Sequence, residues 1–150
     1  MAGVIKKSCL ALGLFIIALL GFSIAGSAAQ VIGTSGKCLD VQGGGAADGT
    51  PIILFSCQGS PNQQWHFSNG QLVGIGGKCL DVQGGGAADR TPVILFRCHG
   101  SPNQQWYSRN GQIVGIGGKC LDVQGGLTAD RTPVILFQCH GGPNQQWSVR

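Results

Sequence analysis

Residues 79–106 read Cys79-Leu80-Asp81-Val82-Gln83, a glycine-rich run to Arg90, Thr91-Pro92-Val93-Ile94-Leu95-Phe96-Arg97-Cys98, and then, after a short turn, Pro102-Asn103-Gln104-Gln105-Trp106. The same cassette stands at 38–65 and again at 120–147. Trp65, Trp106 and Trp147 are therefore spaced by 41 residues both times. A fixed period means that one supersecondary unit is used three times, each burying its apolar face against its neighbours. The units run over 30–70, 71–111 and 112–150.

Working outward through the second unit, four short apolar stretches alternate with turn residues. They are Leu72-Val73-Gly74-Ile75, Lys78-Cys79-Leu80-Asp81-Val82, Pro92-Val93-Ile94-Leu95-Phe96 and Gln104-Gln105-Trp106-Tyr107. The breakers are Gly76-Gly77, Gly84-Gly85-Gly86 with Asp89, Ser101-Pro102-Asn103 and Asn110-Gly111. Short β-branched or aromatic runs between such clusters predict strands in antiparallel hairpins. No window after residue 30 has a useful helical period. Residues 30–150 are thus expected to be all-β, with four short strands per unit. Propellers need about four blades or more, so three units are too few. The β-trefoil, a six-strand barrel capped by three hairpins, is the closed arrangement that remains, and closure removes exposed sheet edges. The period of two puts Val93 and Leu95 on one face and Ile94 and Phe96 on the other. Leu80, Val93, Leu95 and Trp106, with their counterparts, form the expected core. The tryptophans read as core anchors, with sugar stacking as the rival role.

Residues 1–29 have the three parts of a secretory signal peptide: Lys6 and Lys7, an apolar run from Leu10 to Ile24, and a small-residue site Ser27-Ala28-Ala29. The cut is expected before Gln30, which predicts a secreted protein, extracellular or periplasmic, with no membrane span after cleavage. An uncleaved anchor is the rival, since no charge occurs between Lys7 and Lys37. The chain carries a formal charge of +4, of which the leader supplies two lysines. The rest is spread evenly, so there is no electrostatic footprint for nucleic acid.

Of seven cysteines, Cys9 falls in the leader and six remain, two per unit at one separation. Six allow 15 pairings. The repeat favours the local scheme Cys38–Cys57, Cys79–Cys98 and Cys120–Cys139. Each bridge closes a loop of roughly 20 residues, worth about 3 kcal/mol in the chain-entropy model. Zinc is the competing use, but the Cys-x-x-Cys knuckle is missing and export favours oxidation. No metal and no cofactor are expected.

Cys-Leu-Asp-Val followed by Asn-Gln-Gln-Trp, three times in register, resembles the ricin B-chain-type lectins, with their Gln-x-Trp repeats at Gln63-Gln64-Trp65, Gln104-Gln105-Trp106 and Gln145-Gln146-Trp147. The resemblance covers the whole of 30–150. It implies a β-trefoil that binds carbohydrate in up to three shallow pockets, one per unit. It places the sugar-binding aspartate at Asp40, Asp81 and Asp122, and the stacking aromatic at Phe55, Phe96 and Phe137. A further polar residue falls on Gln58, His99 and His140, and the pocket asparagine on Asn62, Asn103 and Asn144. The glutamine that steadies the aspartate falls on Gln63, Gln104 and Gln145. Galactose- or xylose-type glycans are the implied partners, and the chain is expected to be a monomer.

These residue types suit a pyranose. An ionised aspartate accepts from two adjacent hydroxyls, asparagine both donates and accepts, and a flat ring covers the C–H face. One departure stands out. Many relatives carry a polar residue thirteen positions after the aspartate, where this chain has Ile53, Ile94 and Ile135. The pockets are expected to be more apolar than usual.

Simpler roles stand beside these. The aspartates could cap turns, the Asn-Gln pairs could be structural, and His99 and His140 could be exposed and idle. Catalysis is disfavoured: there is no glutamate, no free cysteine outside the leader, and three near-copies of one pocket suit binding. The rival function is a trefoil scaffold that binds a protein or inhibits an enzyme through the outward Ile/Phe pairs.

Overall fold

The computed structural model describes residues 27–150. Residues 1–26, most of the expected leader with Cys9, lie outside the described residues. The first unit contributes β1 (Val31–Ile32), β2 (Cys38–Val41), β3 (Thr50–Phe55) and β4 (His66–Ser68). The second contributes β5 (Gln71–Val73), β6 (Cys79–Val82), β7 (Thr91–Phe96) and β8 (Tyr107–Arg109). The third contributes β9 (Gln112–Val114), β10 (Cys120–Val123), β11 (Thr132–Phe137) and β12 (Ser148–Val149).

Two layers follow from the pairing. β12 pairs with β1, β4 with β5 and β8 with β9, all antiparallel. Backbone bonds between Ala29 and Trp65, from Trp106 to Gly70 and from Trp147 to Gly111 join these pairs into a closed six-strand ring. The hairpins β2–β3, β6–β7 and β10–β11 form the second layer. Their long strands β3, β7 and β11 pair with one another around the pseudo-threefold axis. This is the β-trefoil expected from the repeats.

The β4–β5 and β8–β9 links are two-residue turns, Asn69-Gly70 and Asn110-Gly111, with positive φ at both positions (50° and 76°, 50° and 77°). Asn-Gly is the pair that tolerates this backbone and matches the twist of the strands. One expected strand moves. Gln104-Gln105-Trp106 does not begin a strand: Pro102–Gln104 forms a single 3-10 turn, and β8 starts only at Tyr107. The proline presets the first residue of that turn, and the side chain of Gln104 is committed to polar contacts described below.

The core is one cluster drawn from all three units. It contains Leu39, Ile52, Leu54 and Trp65, with Leu80, Val93, Leu95, Trp106 and Leu121, Val134, Leu136, Trp147. Each tryptophan donates its indole N–H to a backbone carbonyl, those of Leu39, Leu80 and Leu121, at 3.0 Å. Each also lies flat on a glycine of the next unit around the ring. A Cβ built at Gly74, Gly115 or Gly33 would come within 2.6 Å of the six-membered ring of Trp65, Trp106 or Trp147. The tryptophans are therefore interior anchors, and sugar stacking is not open to them.

Cys38–Cys57, Cys79–Cys98 and Cys120–Cys139 are disulfide-bonded, each with a Cα separation of 5.1 Å. A second set of ties crosses unit boundaries and was not visible in the repeat. Asp48 takes Lys78 at 2.8 Å and the backbone N–H of Arg97 at 3.0 Å. Asp89 does the same with Lys119 and Gln138, and Asp130 with Lys37 and Ser56. Each loop aspartate thus clamps the next unit in a cyclic order. The lysine bond, the largest influence, holds all three carboxyls below their ordinary value.

Candidate functional site

Each hairpin of the cap presents one shallow depression, lined by its turn and by one face of its strands. In the second unit β6 carries Asp81, and β7 runs antiparallel to it with Ile94 directly opposite. Val93 and Leu95 turn into the core, so the same pleat sends Ile94 and Phe96 to the depression. The turn after Val82 supplies Gly84 and Gly85, both left-handed at φ 74° and 73°. Two such residues in succession let the backbone curl against the depression, which glycine does without steric cost. The Pro102–Gln104 turn brings up Asn103, and the chain after the disulfide brings His99. The third unit repeats this with Asp122, Ile135, Phe137, His140 and Asn144, around about 490 Å³. The first repeats it with Asp40, Ile53, Phe55, Gln58 and Asn62, around about 290 Å³. The sequence-derived residues therefore come together in three copies.

The glutamines sit behind the carboxylates. Gln104 is fully enclosed and donates through Nε2 to Asp81 Oδ2 at 2.8 Å and to the Arg97 carbonyl at 2.9 Å. Its Oε1 accepts from the backbone N–H of His99 at 2.8 Å. Gln63 and Gln145 hold Asp40 and Asp122 at the same 2.8 Å. These glutamines position the aspartates and cannot themselves reach a ligand. Oδ1 of each aspartate has no partner among these hydrogen bonds. Each aspartate lines its depression while only 2 to 3% of the residue is exposed. The asparagine Nδ2 donates to the carbonyl of Val41, Val82 or Val123 at 3.1 Å, which orients the amide.

Burial pushes the carboxyls of Asp40 and Asp122 above their ordinary value. The bonds from Gln63 and Asn62 oppose that rise at Asp40, as do those from Gln145 and His140 at Asp122. The histidines are exposed but touch the carboxylates. Nδ1 of His99 and His140 accepts a backbone N–H, from Ser101 at 3.2 Å and from Gly142 at 3.0 Å. That leaves Nε2 to carry the proton, and it faces Asp81 or Asp122 Oδ2 at 3.4 and 3.5 Å. Their rings meet the edges of Phe96 and Phe137. In the first unit Gln58 replaces the imidazole and is exposed.

Ile53, Ile94 and Ile135 line the depressions yet are nearly buried, at 4 to 7% exposure. They floor the depressions and offer little apolar surface outward. Two contributors were missed from sequence. Gln42, Gln83 and Gln124 line the depressions beside the glycine pairs. Residues 49, 90 and 131 reach each depression from the neighbouring unit. An unequal residue in an otherwise regular repeat, Gly49 against Arg90 and Arg131, was the available signal. Among the described residues no group of His, Cys or Asp is arranged to hold a metal ion, and no helix is long and apolar enough to cross a membrane.

Comparison with known proteins points the same way. The designed three-fold symmetric protein ThreeFoil is 36% identical, with a TM-score of 0.75 over 81% of this chain and 96% of its own. The C-half of the earthworm R-type lectin, solved in complex with GalNAc, shares the fold at 20% identity, with a TM-score of 0.69 over 82% and 98%. A probable lipoprotein, EnvE, of Salmonella typhimurium strain LT2 is 62% identical over 29 residues, 19% of this chain and 17% of that protein. The match therefore spans less than a fifth of the curated relative. A lipoprotein relative and three disulfides are compatible with an extracellular location. The model of the ricin-type beta-trefoil lectin domain matches residues 27–147, which supports carbohydrate binding in general. With its three-unit trefoil and its Gln-x-Trp turns, this chain belongs to the ricin-type β-trefoil lectin domain family.

Proposed function

We propose that the protein is an exported carbohydrate-binding module with up to three shallow sugar pockets, one per unit, and no catalytic role. The observation that carries this is the triplicated constellation: an aspartate carboxylate, an oriented asparagine and a half-exposed phenylalanine around each depression. The carboxylate accepts from two adjacent hydroxyls, the asparagine carbonyl or amide meets a third, and the phenyl ring covers the C–H face. The buried isoleucine gives that face an apolar floor. Such open pockets bind weakly one at a time, and three on one rigid body gain by avidity on a polymer or a glycan-coated surface. The GalNAc complex of the earthworm lectin makes galactose-type sugars the first class to try, with xylose polymers second.

Affinity electrophoresis of the mature monomer in gels containing galactan or xylan tests this. Asp81→Ala with Asp122→Ala leaves only the Asp40 pocket and should sharply weaken retardation on the responsive polysaccharide by removing avidity. Retardation unchanged by both substitutions refutes the pocket assignment. A clear protein partner with no glycan response would favour the scaffold reading instead. Export itself is tested at the N-terminus. A cut before Gln30 removes Ala29, whose backbone exchanges two bonds of 2.8 Å with Trp65.

A further inference from the structure

Residues 49, 90 and 131 hold equivalent places at the tip of each unit's glycine-rich loop, yet they are Gly49, Arg90 and Arg131. All three are left-handed, with φ of 85°, 68° and 71°. Glycine takes that backbone freely, whereas arginine takes it at a steric cost. Each backbone N–H donates at 2.8 Å to the neighbouring unit, at the residue just before the pocket phenylalanine. The acceptors are Leu95 for Gly49, Leu136 for Arg90 and Leu54 for Arg131. The loop tip is thereby pinned to a neighbour's pocket. Arg90 lines the pocket of Asp122, Arg131 that of Asp40, and Gly49 that of Asp81.

Both arginines are exposed, and neither guanidinium figures in any hydrogen bond or ion pair among the described residues. The adjacent aspartates are already engaged, Asp89 by Lys119 and Asp130 by Lys37. Asp122 is held by Gln145 and faced by His140. The second pocket differs in charge. Its nearby cation, Arg97, is spent on Asp48 at 3.3 Å and lies over the Phe96 ring. Asp48 itself joins Asp81 in the lining.

We propose that Arg90 and Arg131 make the third and first pockets selective for pyranoses bearing an anionic substituent, and that the second pocket takes neutral sugars. This rests on the sugar-pocket reading above. A guanidinium offers planar paired donors to a carboxylate or a sulfate ester while the aspartate accepts from hydroxyls elsewhere on the ring. With Gly49 in that place, an acidic sugar would meet two carboxylates and no unpaired cation.

Amide chemical shifts at Gly43, Gly84 and Gly125 report the three pockets separately. They are to be followed during titration of the mature protein with galactose, galacturonate, galactose 6-sulfate, glucose and glucuronate. In low salt the first and third pockets should bind an acidic sugar roughly fivefold more tightly than its neutral parent, with the margin shrinking as salt is added. The galacturonate and galactose 6-sulfate arms tell carboxylate from sulfate. Arg90→Gly and Arg131→Gly, which keep the backbone that Gly49 already adopts, should remove the preference. Equal affinity for acidic and neutral sugars in the native protein, or a preference that survives both substitutions, overturns this inference and leaves the sugar pockets standing. No response at any pocket amide to any of the five sugars overturns both.

Discussion

Replacing Gln104 by leucine separates the polar work of this residue from its volume, because the two side chains are of similar size. Gln104 is completely enclosed. Its Nε2 bonds Asp81 Oδ2 and the Arg97 carbonyl, and its Oε1 takes the His99 N–H. Leucine would take this partner from three backbone groups, the Arg97 carbonyl and the N–H groups of His99 and Gly100, and from the Gln71 amide, and would leave the nearly buried Asp81 carboxylate with only His99 Nε2 facing it at 3.4 Å. Each unpaired enclosed polar group costs about 1–3 kcal/mol. His99 and Arg97 lie on an exposed segment where water can replace part of the loss. The sum expected for Gln104→Leu is therefore about 3 kcal/mol. Urea unfolding of the oxidised protein measures it as a lower midpoint at unchanged slope. Gln105→Leu is the control: that neighbour is half-buried and makes one long bond of 3.2 Å to the Gly100 carbonyl, so its cost should stay under about 1 kcal/mol. The same substitution at Gln104 frees the Asp81 carboxylate to turn, so the second pocket should lose its sugar response while the first and third keep theirs. A Gln104→Leu protein as stable as the Gln105→Leu control, with its second pocket still responsive, would refute the reasoning.

Gly74→Ala should destabilise by about 2 kcal/mol in the same assay, because its Cβ would press on the enclosed ring of Trp65. Gly86→Ala, at φ −84° with nothing within 4 Å, should instead stabilise by about 0.4–1 kcal/mol. The clamps of Asp48, Asp89 and Asp130, whose carboxyls are depressed in the fold, stabilise above their ordinary value of 3.8. That contribution is lost as pH falls below it through the folded-state values, and Asp89→Asn should flatten this acid limb of a Tm-against-pH curve. Asp122 runs the other way: its raised carboxyl protonates above 3.8, which favours the fold slightly but removes the acceptor, so binding at Gly125 should fade on acidification while the protein is still folded.

Much of this was legible from residue types alone. Alternation in Val93-Ile94-Leu95-Phe96 separated core from pocket because β geometry sends neighbours to opposite faces. The matched cysteines paired locally because three like units can be built alike. The strand expected at Gln104-Gln105-Trp106 was misplaced because a proline-led turn and a buried amide network override the apolar look of the segment. Ile94 looked outward by period and does line the depression, yet it is nearly buried there. The resemblance put His99 and His140 in the pockets with Asp81 and Asp122, and the structure adds their contact with the carboxylates.

The sequence by itself determined the unit, its threefold use, its four strands and the side chains it would turn outward, since period and alternation are local properties of the chain. Tertiary structure alone decided what crosses from one unit to the next. The clamps at Asp48, Asp89 and Asp130, the tryptophans lying on a neighbour's glycine, and Arg90 and Arg131 at a neighbour's pocket all pair residues far apart in sequence. No spacing along the chain encodes those meetings, because they arise only when the ring closes and the last unit meets the first.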